Sequence, residues 1–208
     1  TISFLSECNS DLDSSIKRVT ILKIWPTWLG LLAGVAALTL GLLVGSNLQE
    51  GWQLAARYTA RASFPFFIVT FVASSLLQLH RRPWTVALLR DRRWWGLGFA
   101  GCFFVHLLAL LTNNWLADNF PPAGFLDRGV WAYVVLLGMV LTSTNKARLR
   151  MGPWWTALHR LGMWGFFFIF VLSQYADALL AMKVPSSNPL TDPYFLTGVV
   201  ALSLRITA

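Results

Sequence analysis

Charge is scarce in this chain. Only 12% of its 208 residues are Asp, Glu, Lys or Arg, where a soluble domain carries about a quarter. Acidic residues are the scarcest, nine against seventeen basic ones. None falls clearly inside an apolar stretch except Asp177, near the end of one. That argues against a proton relay built of carboxylates. Two cysteines, Cys8 and Cys102, lie far apart with no partner spacing. They make neither a disulfide framework nor a metal motif, and Cys102 reads as a small packing residue. There is no CxxCH motif for covalent haem, no internal repeat and no low-complexity tract. Histidine occurs three times only, at His80, His106 and His159.

Apolar residues dominate instead, at 56% with a mean hydropathy of +0.56. Long apolar runs alternate with short basic clusters, as expected when helices of about 20 residues cross the bilayer. The expected fold is an all-α integral membrane protein, a bundle of about six transmembrane helices. The spans read as Trp25–Val44, Ala62–Leu79, Trp94–Leu116, Gly129–Ser143, Trp154–Leu180 and one from about Tyr194 to the end. The last is short and carries Arg205. Residues 1–23 read as a polar leader rather than a secretory signal, because no charged n-region leads directly into a short apolar core. Residues 24–208 form the bundle.

Basic residues set the expected orientation. One side collects Lys17, Arg18, Lys23, Arg81, Arg82, Arg90, Arg92, Arg93, Lys146, Arg148, Arg150 and Arg205. The other holds Arg57, Arg61, Arg128 and Lys183. The richer side is expected to be cytoplasmic, with both termini on it. The net charge of +8 then serves topology and anionic head groups, and nucleic acid is not an expected partner. Eight of the eleven tryptophans, Trp25, Trp28, Trp84, Trp94, Trp95, Trp115, Trp154 and Trp155, fall near span ends, where an amphipathic ring is favoured.

The ionisable groups left within the spans are histidines, and an intramembrane ionisable residue is a functional candidate. His80 precedes Arg81 and Arg82 and reads as interfacial. His106 lies in the middle of the third span, on one helical face with Gly98 and Cys102. Small residues there admit a close neighbour, either another helix or a flat cofactor; the plain alternative is a histidine hydrogen-bonded to a neighbouring helix. His159 lies near the inner end of the fifth span, followed by Gly162 and flanked by Arg160, and the plain alternative is an interfacial His–Arg pair. His106 is 13 residues past Arg93 and His159 is 9 past Arg150, or about 20 and 14 Å of helix. At such depths two imidazoles on neighbouring helices could share one iron. Haem suits the site. Its macrocycle is apolar, its propionates match interfacial arginine, and imidazole is a standard axial ligand. Without CxxCH it would be haem b. The candidates are His106 and His159 as metal ligands, with Arg92, Arg93 and Arg160 facing the propionates.

Two stretches carry a resemblance. RRWWGLGFAGCFFVHLL ends a basic pair's 13-residue spacing at His106, and MGPWWTALHRLGMW surrounds His159 with a Gly-Pro-x-x-x-x-Leu-His-Arg-Leu pattern. On these the chain resembles the ferric-reductase-like transmembrane superfamily. It looks most like the short six-helix branch of haem-binding membrane subunits of periplasmic methionine-sulfoxide reductase systems. The resemblance covers spans three to five well and the rest mainly by hydropathy. Members usually carry a further histidine 13 or 14 residues beyond the position of His159; here Leu172 and Ser173 stand there. The resemblance therefore implies at most one haem b. It also implies a membrane oxidoreductase subunit that is not self-sufficient, because no flavin or nicotinamide domain accompanies it. Electrons would come from a separate flavoprotein or quinol and pass to a partner protein. The rival expectation is a non-catalytic structural or assembly subunit of a larger membrane complex, a family member that has lost its outer ligand. A transporter is a weaker third, since no inverted symmetry or charged midplane site is visible.

Overall fold

The computed structural model describes residues 24–118, 130–171 and 193–207. These form seven helices and no strand. They are α1 (Ile24–Val44), α2 (Leu48–Leu79), α3 (Pro83–Leu116), α4 (Val130–Leu141), α5 (Asn145–Met151), α6 (Pro153–Val171) and α7 (Pro193–Thr207). Helices α1, α2 and α3 are long and apolar enough to cross a membrane, and α4 and α7 are shorter apolar helices. The chain is an all-α, multi-pass membrane protein, as its hydropathy implies. Residues 1–23, both proline-rich connections, Asp177, Leu172 and Ser173 lie outside the described residues.

Two helices extend well beyond the spans that hydropathy marks. Helix α2 begins at Leu48 rather than near Ala62, so Arg57 and Arg61 are helical and not in a loop. Asn47 caps it, its side chain accepting from the Glu50 amide at 2.9 Å. Helix α3 begins at Pro83 rather than Trp94, which puts Arg90, Arg92 and Arg93 on the helix. The α2–α3 connection shrinks to residues 80–82. Thr85 closes it: its hydroxyl donates to the His80 carbonyl at 2.9 Å and accepts from the Arg82 amide at 3.1 Å. Hydropathy marks the part of a helix that suits lipid, whereas caps and a proline at the first turn mark where the helix starts.

Small residues set the helix spacing. A Cβ added at Gly30 would run into the Gly98 backbone, and one at Gly98 into the Pro26 carbonyl, so α1 and α3 meet backbone to backbone. The small face around Gly98 and Cys102 thus accommodates a helix. Gly41, and Gly45 just past the end of α1, bring the chain equally close to Ala55 and Gly51 of α2. Gly162 of α6 likewise faces Val135 and Met139 of α4.

The core is aromatic. Phe67, Phe71, Phe99, Phe103, Phe166 and Phe167 are all buried, in stacked and edge-on contacts with centroids 5.0 to 6.5 Å apart. Such pairs add about 0.5–1.5 kcal/mol each beyond their buried area. The outside is apolar too, with Leu32, Leu40, Leu43, Leu108 and Leu141 exposed, which suits lipid rather than water.

The same rings fix helix register. Phe99 and Phe103 of α3 touch Phe166 and Phe170 of α6. Phe64 and Phe71 of α2 meet Phe170 and Phe167. Helices α3 and α6 therefore run in the same direction and α2 runs against them, with residues 99–103 level with 166–170.

Candidate functional site

A cavity of about 810 Å³ opens at the basic end of the bundle, between α3, α4, α5 and α6, with Thr70 of α2 and Arg205 of α7. That volume lies within the range of small-molecule and cofactor sites, roughly 300–1,000 Å³. One wall is apolar, with Leu97, Phe99, Leu136, Met139 and Met163. The other is cationic, with Arg90, Arg92, Arg93, Arg148, Arg160 and Arg205. The cavity exists because α3 continues as a helix below Trp94, which carries its arginines along α6 instead of releasing them into a loop.

His159 lines this cavity. Thr144 caps α5, accepting from the Ala147 amide at 3.1 Å. Gly152 then turns the chain with φ +52°, a conformation that glycine adopts without strain. Pro153 starts α6, and His159 lies about two turns along it. Its Nδ1 is 3.0 Å from the Trp155 carbonyl, and its ring stacks on the Trp155 indole with centroids 4.0 Å apart. Trp155 is held in turn, its Nε1 donating to the Thr142 carbonyl at 2.8 Å. A carbonyl only accepts, so the Trp155 contact favours the tautomer with the hydrogen on Nδ1, and the Met139 backbone also lies within hydrogen-bonding reach of the ring.

Among the described residues the cations are largely without anions. Arg90 pairs with Asp91 through two contacts of 3.0 Å, and among the described residues Asp91 is the only acidic one lining the cavity. Arg92 Nε donates to the Thr70 carbonyl at 2.8 Å. Arg205 Nη1 donates to the Phe71 carbonyl at 2.6 Å and to Ser74 Oγ at 3.3 Å, with its guanidinium 4.7 Å from the Phe71 ring centroid. Five guanidiniums thus line the mouth with no carboxylate among the described residues left to balance them. The donor set fits haem b: one imidazole, an apolar wall for the macrocycle and several guanidiniums for the propionates.

Four of the five sequence-predicted residues, His159, Arg92, Arg93 and Arg160, line this one cavity. His106 does not. Its Nδ1 is 3.2 Å from Thr59 Oγ1 of α2, and its ring lies 5.3 Å from that of Phe103. The ring register separates the two histidines. His106 lies 3 residues past Phe103 and His159 lies 11 before Phe170, which is level with Phe103, so the two histidines stand about 20 Å of helix apart. The two imidazoles thus stand at different levels of the bundle, because Arg93 is on α3 and level with His159, whereas Arg150 precedes α6, so similar distances from the two basic clusters do not mean similar depth. His80 is exposed in the α2–α3 turn, and its Nε2 accepts from Arg82 Nε at 3.2 Å. Cys102 is buried, its Sγ 3.7 Å from the Thr59 carbonyl. Among the described residues no three His, Cys, Asp or Glu side chains gather as a metal site.

Sequence reasoning missed Arg205, Arg148 and Thr59. A signal existed for Arg205, a lone charge in an otherwise apolar terminal helix. Nothing in the local sequence marks Thr59.

The family profile described as ferric reductase like transmembrane component matches residues 58–171, a stretch that holds both histidines and Arg92, Arg93 and Arg160. The chain is 26% identical over 198 residues to a protein of Yersinia pseudotuberculosis serotype O:1b named protein-methionine-sulfoxide reductase heme-binding subunit MsrQ, covering 92% of each chain. It is equally identical to the protein of the same name from Yersinia pestis strain Pestoides F, covering 92% of this chain and 91% of that one. No solved structure matches. The profile spans more than half of the chain and takes in both histidine helices, and on that match the chain belongs to the ferric-reductase-like transmembrane component family.

Proposed function

We propose that this protein is a haem b membrane subunit that relays electrons through the bilayer. The observation that carries the reading is the basic-end cavity, where His159 offers an imidazole beside five guanidiniums without carboxylate partners among the described residues. Bound there, haem supplies one-electron redox chemistry. The protein supplies the rest. His159 would hold the iron, Trp155 would hold the His159 ring, Leu97, Phe99, Leu136 and Met163 would keep water from the macrocycle, and Arg92, Arg93, Arg160 and Arg205 would receive the propionates. His106, about 20 Å further along the bundle, would be the ligand of a second level, which departs from the expectation of at most one haem b. The aromatic core of Phe99, Phe103 and Phe166 lies between the two levels.

The basic end faces the cytoplasm, by the positive-inside rule. The electron donor is a separate flavoprotein or quinol meeting the bundle at that end. The acceptor is a partner protein on the other side. The names of the Yersinia relatives support a methionine-sulfoxide reductase as that partner. The rival, a structural subunit without haem, has no use for the unbalanced guanidiniums around an imidazole.

Haem content per polypeptide, by pyridine haemochrome with redox titration of the purified chain, tests the reading. His159→Ala is expected to remove one redox component and His106→Ala the other, while His80→Ala leaves the spectrum unchanged. A wild-type protein that takes up no haem on reconstitution would refute the proposal.

A further inference from the structure

The Thr59–His106 contact has a proton arrangement that bears on which nitrogen His106 can offer. Thr59 is completely buried. Its Oγ1 is 2.7 Å from the Ala55 carbonyl one turn back on α2, 3.1 Å from the Ala56 carbonyl and 3.2 Å from His106 Nδ1. A hydroxyl has one hydrogen to donate. Both carbonyls accept only, and the Ala55 contact is shorter than the imidazole contact by half an ångström, so the hydrogen goes to Ala55. What the hydroxyl turns toward His106 is a lone pair, and Nδ1 must then be the N–H. The other tautomer would set a bare Nδ1 against a hydroxyl already committed to Ala55.

The neutral ring therefore carries its lone pair on Nε2, and no hydrogen bond to Nε2 occurs among the described residues. A half-buried imidazole at bilayer depth with one nitrogen tied down and the other uncommitted is prepared to ligate a metal. We propose that Thr59 is a positioning residue for His106. It fixes the Nδ1–H tautomer and the ring plane, and so makes Nε2 the ligand. The inference rests on the reading of His106 as a haem ligand. Helix packing holds the arrangement. The Thr59 carbonyl faces Cys102 Sγ one turn before His106, and Gly34 of α1 presses on Cys102 from behind, so α2 cannot slide along α3 without breaking the contact. An acceptor on Nδ1–H also makes the imidazole a stronger electron donor to its metal, which favours the oxidised state and lowers the midpoint potential.

The test uses the full chain loaded with haem and reads three signals: haem loss to apomyoglobin, the midpoint potential of each component, and the low-spin electron paramagnetic resonance spectrum. Thr59→Val keeps the shape and removes the hydroxyl; Thr59→Ser keeps the hydroxyl. Thr59→Val is expected to weaken haem retention about tenfold or more at the His106-dependent component alone, to raise that component's potential and to shift its g values. Thr59→Ser is expected to retain the wild-type signals. If His106→Ala leaves both components intact, the ligand reading fails and the inference with it. If His106→Ala removes one component but Thr59→Val matches wild type, the inference alone is overturned. Loss of both components in Thr59→Val also overturns it, because a tautomer effect is confined to one site. Should Thr59→Val fail to accumulate, Thr59→Ala decides by the same three signals.

Discussion

Replacing Arg205 by methionine separates the two things this guanidinium can do, hold helices together or hold an anion. Methionine keeps an apolar stem of similar length. The change removes the bonds to the Phe71 carbonyl and Ser74 Oγ and the stacking over Phe71. By central values these are worth about 1.5–3 kcal/mol for charge-assisted hydrogen bonds and about 0.5–2 kcal/mol for the cation–π contact. Two terms oppose that loss. Arg205 is repelled by the neighbouring Arg92 and Arg160, and a half-buried cation with no carboxylate nearby among the described residues carries part of the desolvation penalty of a buried ion. Without haem the terms nearly cancel. The thermal midpoint of the apoprotein in detergent should move by less than about 4 °C, or about 1 kcal/mol.

With haem bound the balance changes, because a propionate gives the cation a partner. Losing one charge-assisted bond to a carboxylate costs about 1.5–3 kcal/mol, which is about a tenfold to hundredfold weaker haem affinity. Haem transfer to apomyoglobin measures the affinity, and differential scanning fluorimetry of apo and loaded protein measures both midpoints. Arg205→Lys should recover part of the affinity, since lysine keeps the charge without the fork. An Arg205→Met protein that loses about 3 kcal/mol of apoprotein stability yet binds haem as wild type does would refute the reasoning. The guanidinium would then be a helix clamp and nothing more.

Gly98→Leu should force α1 from α3, since any Cβ there meets the Pro26 carbonyl; a cost of at least about 1–3 kcal/mol is expected, read as a lowered thermal midpoint, and a wild-type midpoint would contradict the backbone contact. Phe166 is 1% exposed between Phe67, Phe99 and Phe103, so Phe166→Ala should cost about 3–5 kcal/mol through the cavity it leaves, and a loss under about 1 kcal/mol would show that the rings do not form one packed layer. Ser187→Cys, in a background with Cys8→Ser, should react with an impermeant maleimide from outside intact cells; reaction only after permeabilisation would invert the proposed orientation.

The sequence by itself determined the class and most of the helix content. Charge at 12% with apolar runs longer than a strand leaves the bilayer as the only solvent for such a chain. Basic clusters, span-end tryptophans and the Gly-Pro turn before the fifth span were legible because each acts locally, on its own helix or at its own end of the membrane. His159 with Arg160, and Arg92 with Arg93, could be singled out for the same reason. Only the tertiary structure decided which of these groups meet. Hydropathy stops where lipid stops, but helix α3 does not, and its extra turns below Trp94 bring Arg92 and Arg93 level with His159 while carrying His106 some 20 Å away. The depth of a side chain depends on where its helix sits relative to its neighbours, and here interlocked phenylalanines on three helices set that register. Arg205 and Thr59 became visible for the same physical reason. Each acts on a residue 134 and 47 positions away in the chain, and no local pattern records a contact made across the bundle.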